Sequence, residues 1–253
     1  MDVQMRRKIA LERLEDRGEV TVAELSDATC VSAMTIRRDL ELLEKEGALR
    51  RVHGGAISLA SRGYAAPYSV RAARHGDAKE FIGRAAAALL GEGETVVLDV
   101  GTTTHQVARA LRARRNLTVL TASMRIANLL AGNHDIRLMV TGGIVVPSEL
   151  SLVGDTAEEA FSRLRFDTYV MGVGGIDTQS GVTEFSLEDA RVKRAALASV
   201  RRCIVVADSS KLGKVTFAQV CPLERVDVVV TDSGAAKEDI EALRAEHVEV
   251  VVA

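Results

Sequence analysis

The sequence is short of the features that most quickly assign a class. Only three cysteines occur, Cys30, Cys203 and Cys221, an odd number with no CxxC spacing, which argues against a zinc ribbon, a thioredoxin-like redox motif or a disulfide framework. Set among apolar neighbours, all three are expected to be buried, inert thiols, and no metal site is expected. No run of about 18 apolar residues is present to cross a bilayer. The opening MDVQMRRKIALERLEDRG mixes acids among its apolar residues and lacks the apolar core of a signal peptide. A cytoplasmic protein with no membrane partner is expected. There is no low-complexity tract and no repeat of 20–50 residues, which excludes a solenoid. Charge of one sign is missing as well: 33 Lys+Arg stand against 35 Asp+Glu, a formal −2, so no global positive field advertises a nucleic-acid partner. What remains, 47% hydrophobic and 27% charged over 253 residues, is ordinary globular usage with room for one large α/β domain or two smaller ones.

The chain reads as two parts. Over 5–56, apolar residues recur at helical spacing: Ile9, Leu11 and Leu14, then Val22, Leu25 and Ala28, then Ile36, Leu40 and Leu43. Three short helices are predicted, the second capped by Thr21 with Glu24 three residues on, the third by Ser32. ATCV is the turn between them. Gly47 ends the third helix, and LRRVHGGAI reads as a hairpin wing turning at Gly54 and Gly55. The stretch 58–75 loses periodicity and is assigned to a linker, between a reader of residues 1–57 and a larger domain of residues 76–253. In that second part, short apolar runs at 95–100, 117–122, 136–141, 167–173, 203–208, 227–232 and 248–253 are mostly separated by helical stretches. The fold class expected is α/β: a small N-terminal winged helix-turn-helix plus a C-terminal domain with a mainly parallel sheet covered on both faces.

In a winged helix-turn-helix the second helix of the motif enters the major groove. With Ile36, Leu40 and Leu43 facing inward, Ser32, Thr35, Arg37 and Arg38 face outward near the helix start. Arginine bonds guanine O6 and N7, and hydroxyls and helix amides suit phosphates. Arg50, Arg51 and His53 on the wing add a second cationic contact. The alternative is a solvated helix face in which Arg37 and Arg38 pair with Asp39 and Glu41. Residues 1–56 carry 10 Lys+Arg against 11 Asp+Glu, which does not favour DNA. Placement does: the acids lie mostly on the first two helices, whereas the basic residues cluster at the third helix's start, the wing and Arg6-Arg7-Lys8.

In the larger part, Asp99-Val-Gly-Thr-Thr-Thr leaves a strand and opens a helix. Gly101 lets a ligand approach the backbone, and the free amides with the hydroxyls of Thr102, Thr103 and Thr104 can hold an anion, phosphate above all. Small and polar residues also follow the next strands: Thr121 and Ser123, then Thr141 with Gly142 and Gly143, then Gly172 to Asp177 with Gly174 between. Ligands of open parallel sheets bind at such strand ends. Asp99, Asp177 or Glu184 are candidates for sugar hydroxyls, and Lys193 or Lys211 for phosphate. Lys193 is alternatively one face of the helix over 186–200, whereas Lys211 lies in a loop with no helical face to explain it.

VTVAELSDATCVSAMTIRRDLELLEKEGALRRVHGGA resembles the N-terminal signature of the DeoR family of bacterial transcriptional regulators, in which VS..TIRRDL spans the recognition helix and R.HGGA closes the wing. The second part resembles that family's effector domain: DIGTT matches Asp99 to Thr103, TGG matches Thr141 to Gly143, GxxGID matches Gly172 to Asp177, and D.SK matches Asp208 to Lys211. Met34 and Cys30 depart from the pattern, and Thr-Ala-Ser at 121–123 replaces the TNN or TNS of many members. The resemblance implies a fold shared with ribose-5-phosphate isomerase and CoA transferases, and a phosphorylated sugar or polyol as effector, with no cofactor. The expected function is a repressor of a carbohydrate-metabolism operon that binds a double-stranded DNA operator as a homodimer or homotetramer and responds to that effector through differential affinity. Two alternatives compete: a sugar-phosphate isomerase with an appended helix-turn-helix, in which Asp99 or Glu184 is the general base, and a winged helix that contacts protein and not DNA.

Overall fold

The computed structural model describes residues 2–58 and 65–253, and the chain divides into two compact units, Met1–Arg74 and His75–Ala253. The first begins with α1 (Val3–Arg17), capped by the Asp2 carboxylate, which accepts from the Met5 amide at 2.8 Å. There follow β1 (Glu19–Thr21), α2 (Val22–Thr29), α3 (Ala33–Lys45), β2 (Arg50–Val52) and β3 (Gly55–Ile57). Both expected caps form. Thr21 and Glu24 close a reciprocal capping box, and Ser32 Oγ accepts from the Thr35 amide. Leu11, Leu14, Leu25, Ile36, Leu40 and Leu43 are buried in one core, as their spacing requires.

β1 is a strand that periodicity does not reveal, because three residues are too few for an alternation to register. It pairs antiparallel with β3, so the wing is the outer part of a three-stranded sheet in the order β1-β3-β2. That pairing fixes Gly55, where a Cβ would stand 2.1 Å from the Val20 carbonyl oxygen. The described part of the expected linker, from residue 65 on, is also more ordered than its composition implies. Residues 59–64 lie outside the described residues, but α4 (Tyr68–Ala73) follows, and Val70 is buried in the core of the first unit. A six-residue helix with one buried side chain offers too short a window for a helical period.

The second unit runs α5 (Gly76–Ala88), β4 (Thr95–Leu98), α6 (Thr102–Leu111), β5 (Leu117–Thr121), α7 (Met124–Leu130), β6 (Ile136–Val140), β7 (Ile144–Val146), β8 (Ser151–Val153), α8 (Asp155–Glu159), β9 (Phe166–Gly172), β10 (Gly175–Asp177), β11 (Gly181–Glu184), α9 (Leu187–Ala198), β12 (Val200–Val206), β13 (Ala218–Cys221), β14 (Val228–Thr231), α10 (Lys237–Ala245) and β15 (Glu249–Val252). The seven apolar runs become one parallel sheet in the order β15-β14-β12-β9-β4-β5-β6. Alternate residues serve opposite faces. Val96, Leu98, Val170 and Ile204 pack with Ile82 of α5, Val107 of α6 and Ile126 of α7, while Val97, Tyr169, Met171 and Val205 pack with Ala157, Ala190 and Leu243 of α8, α9 and α10. The small antiparallel sheet β10-β11-β13 and the β7–β8 hairpin are additions the sequence did not suggest.

The order of the parallel strands places the site. From β4 the chain winds outward through β5 to β6, then returns to β4's other side with β9 and winds away through β12, β14 and β15. Strand order therefore reverses between β4 and β9, and ligands of open parallel sheets bind beyond the carboxyl ends of strands at such a reversal.

Candidate functional site

In the first unit, α3 presents Ser32, Arg37 and Arg38 exposed and Thr35 half-buried, and Arg50, Arg51 and His53 are exposed on the wing. The Ser32 and Thr35 hydroxyls lie 3.0 Å apart at the helix start. Asp39 does not pair on the helix surface. It is buried against α1, where it accepts from Arg6 Nε at 2.7 Å and Arg6 Nη2 at 3.3 Å, and both side chains are only 9% exposed. Arg7 likewise donates to Glu46 at 3.2 Å. Arg6 and Arg7 therefore bind α1 to α3 instead of extending the basic surface, and the exposed cations left near α3's start are Arg37 and Arg38. Cys30 is a second correction: it is exposed, at φ 54° in the turn between α2 and α3, because the chain must reverse there and the side chain is turned outward. Cys203 and Cys221 are buried as expected, and burial pushes their thiols up, Cys221 to about 11.

In the second unit, the residues immediately beyond β4 and β9 meet. The Asp99 carboxylate accepts from the Gly172 amide at 3.0 Å and from the Lys193 ammonium. Lys193, on α9 and 1% exposed, also donates to the Gly172 carbonyl at 2.8 Å and stands 3.2 Å from Glu184 Oε2. Its ammonium thus donates to two protein acceptors, Asp99 and the Gly172 carbonyl, and forms a further ion pair with Glu184. Burial pushes a lysine toward its neutral form; here Asp99 and then Glu184 outweigh it and hold Lys193 above the ordinary lysine value. Burial also pushes the Asp99 carboxyl up, and Lys193 offsets only part of that. Lys193 is therefore not an exposed face of α9 but a buried cation paired inside the unit.

Beside this cluster lies the start of α6. Gly101 is its N-cap at φ 136° and supplies no side-chain cap, so the first-turn amides keep their donors. Thr102, Thr103 and Thr104 are buried around it, Thr104 Oγ1 donating to the Gly101 carbonyl at 3.1 Å. A third group of charges closes the end of β12: Lys79 of α5, 4% exposed, stands 3.7 Å from Asp208, and half-buried Lys211 follows in the next turn. Burial tends to raise the Asp208 carboxyl, but Lys79 and then Lys211 hold it below the ordinary aspartate value. Lys79 is not among the residues the sequence motifs single out. Its signal was there: it stands three residues before Ile82 and seven before Ala86, on the apolar stripe of α5, where a lysine is out of place.

The remaining candidates divide. Thr121 Oγ1 accepts from the Ser123 amide at 3.0 Å, and Ser123 Oγ caps α7, so both hydroxyls already shape the β5 end. Gly142 and Gly143 have φ of 76° and 114°, and a Cβ on Gly143 would lie 2.5 Å from the Val153 carbonyl oxygen. Gly174 donates its amide to the Thr183 carbonyl at 3.0 Å. Asp177 is elsewhere: its carboxylate accepts from the Gln179 and Ser180 amides at 3.0 and 2.8 Å and holds the β10–β11 turn. Among the described residues no group of His, Cys, Asp and Glu is placed to hold a metal ion, and no helix is long and apolar enough to cross a membrane.

Comparison with known proteins covers both units. The model of the DeoR-like helix-turn-helix domain matches residues 6–62, and that of the DeoR C terminal sensor domain matches residues 74–233. The glycerol-3-phosphate regulon repressor of Escherichia coli (strain K12) is 32% identical over 240 residues, which are 95% of this chain and 95% of that protein. The HTH-type transcriptional regulator GlpR of Haloferax volcanii is 34% identical over 246 residues, 97% of this chain and 96% of that protein. Among solved structures, ribose 5-phosphate isomerase A from Methanocaldococcus jannaschii superposes with a TM-score of 0.41 at 15% identity, over 54% of each chain.

Proposed function

Because the chain belongs to the DeoR family of DNA-binding transcriptional regulators, we propose that it represses a carbohydrate-metabolism operon and that a phosphorylated sugar or polyol changes its affinity for the operator. Residues 1–57 are the reader, 58–75 the connection and 76–253 the sensor. Arg37 and Arg38 take base edges or adjacent phosphates in the major groove, with Ser32 and Thr35 at the helix start, while Arg50, Arg51 and His53 hold the flanking backbone. A homodimer or homotetramer supplies the two reading heads that operators of this kind require. Family membership makes the chain a regulator and not the isomerase considered above.

One observation carries the sensor half of the proposal: the uncapped start of α6 lies at the strand-order reversal, in a unit whose other strand ends hold Lys79 and Lys211. The effector's phosphate sits on the amides of Gly101 to Thr104, with Lys79 and Lys211 as counter-charges, and Lys193 keeps the site in shape through Asp99 and Glu184. A DNA-retention assay on the protein's own promoter region, with a panel of sugar phosphates as competitors, tests this. At least one phosphorylated compound is expected to change retention while its unphosphorylated parent does not. If none does, the sensor assignment is wrong; if the chain is not retained on that DNA at all, the reader assignment is wrong.

A further inference from the structure

The first unit has a cavity of its own. About 340 Å³ of space opens where α1, the last turn of α3 and α4 meet, at the lower end of the range of small-molecule pockets. Its apolar lining comes from all three helices: Leu11 of α1, Leu43 of α3, and Val70 and Ala73 of α4. Arg7 and Lys8, one turn before Leu11 on α1, line it as well, and Arg74 follows α4; the one acid in the lining is Glu46. The Arg7 guanidinium is only partly used. Its Nη1 donates to Glu46 at 3.2 Å, whereas its Nε is buried with no hydrogen-bond partner among the described residues. Buried donors left in this state are uncommon and call for an acceptor. Glu46 does not cancel the cations: its side chain is 43% exposed against 19% for Arg7, so water screens the acid more than the guanidinium. Lys8 stands 3.9 Å from Glu12 with both side chains more than a third exposed, a surface pair that loosens easily.

We propose that this cavity is a second ligand site, separate from the sensor, for a small amphipathic anion. A carboxylate or phosphate head sits against Arg7 and Lys8, where charge-assisted hydrogen bonds hold it, and a short apolar body of about six carbons, as the volume allows, lies on Leu11, Leu43, Val70 and Ala73. Such an occupant touches α1, α3 and α4 together. It therefore fastens α4, the last helix of the first unit, to the two helices that carry and support the reading residues.

Methyl NMR of the full chain, labelled at leucine and valine and titrated with hexanoate and with hexyl phosphate, tests the inference. Leu11, Leu43 and Val70 report on this cavity alone, so an anion taken up by the sensor is told apart by the methyls it moves. At least one of the two anions is expected to shift these three methyls saturably, with a Kd of about 1 mM or tighter; the tighter of the two identifies the head. Acetate, which has the head without the body, 1-hexanol, which has the body without the charge, and hexylammonium, of opposite charge, are expected to leave them in place. Lys8→Gln is expected to weaken the anion about three- to tenfold, and Ala73→Phe, which fills the cavity and removes no charge, to abolish the shifts while the methyl spectrum stays that of a folded chain. Three results overturn the inference: no shift of these methyls up to about 5 mM of either anion, equal shifts with 1-hexanol, or an affinity that neither variant changes. If the same methyls instead move with protein concentration and with no anion, a second copy of the chain covers the cavity and the inference falls as well.

Discussion

Lys193→Met isolates what the buried ammonium does. Methionine fills a similar volume without charge, so Asp99 keeps the Gly172 amide but loses its counter-ion, and Asp99 and Glu184 are left as neighbouring carboxylates where a cation stood between them. Removing one partner of a buried ion pair costs roughly 3–5 kcal/mol. At about 2–4 °C per kcal/mol for a unit of this size, the sensor's melting temperature falls by about 10 °C. The loss depends on pH, and the sign follows from Asp99. Burial already pushes that carboxyl up, and without Lys193 its folded pKa rises further above the unfolded value of about 3.9. A group raised in this way binds more protons folded than unfolded, so the variant regains stability as pH falls from neutral toward about 4. Scanning calorimetry of wild type, Lys193→Met and Lys193→Met/Asp99→Asn from about pH 5 to pH 8 reads both effects. The double variant is expected to recover part of the loss, because a neutral amide replaces the stranded carboxylate while still accepting from Gly172. If Lys193→Met melts within about 1 °C of wild type at neutral pH, the ammonium is not consumed by internal contacts, and Lys193 returns to the list of direct effector ligands.

Arg37→Ala and Arg38→Ala, measured separately by fluorescence anisotropy on operator and on random DNA, sort the two side chains. A base contact costs about 1–3 kcal/mol on operator only, whereas a phosphate contact weakens both DNAs and lowers the salt slope by about 1. The near-neutral reader is also expected to show a shallow overall salt dependence; a steep one points to more phosphate contacts than Arg37, Arg38 and the wing can make. Gly83→Ala is expected to destabilise the sensor by about 1–3 kcal/mol in urea unfolding, because the added Cβ would stand 2.7 Å from the Gln106 carbonyl carbon and force α5 from α6; the gain of up to about 1 kcal/mol in helix propensity does not compensate. Lys79→Met changes the acid limb. Asp208 is held below its ordinary value, so its contribution is present above the unfolded aspartate value of about 3.9 and is lost as pH falls through the folded value; melting curves from about pH 3 to pH 6 should therefore flatten in the variant.

What the sequence made legible followed from how many residues each feature spans. The helix stripes of the reader and the seven Val-rich runs extend over enough residues for their period to show, and each run is bounded by small or polar residues that mark its end. Sheet order is different in kind, since no property of TVVLDV or DTYVMGV taken alone says that β4 and β9 are neighbours; yet it is that adjacency which places Asp99 against Gly172 and Lys193. The charged residues are illegible for the same reason. Asp39 lies two residues from Arg37 and next to Arg38, so the sequence suggested local pairing, while its actual partner is Arg6, 33 positions away. From its neighbours alone Lys193 is a surface residue or a phosphate ligand, while its partners come from β4's end, β9's end and β11. In both cases the decisive term is desolvation. A buried charge must find a partner wherever the fold supplies one, so the charged residues out of register with their surroundings, Lys79 on an apolar stripe among them, are the ones whose sequence neighbours say least about what they do.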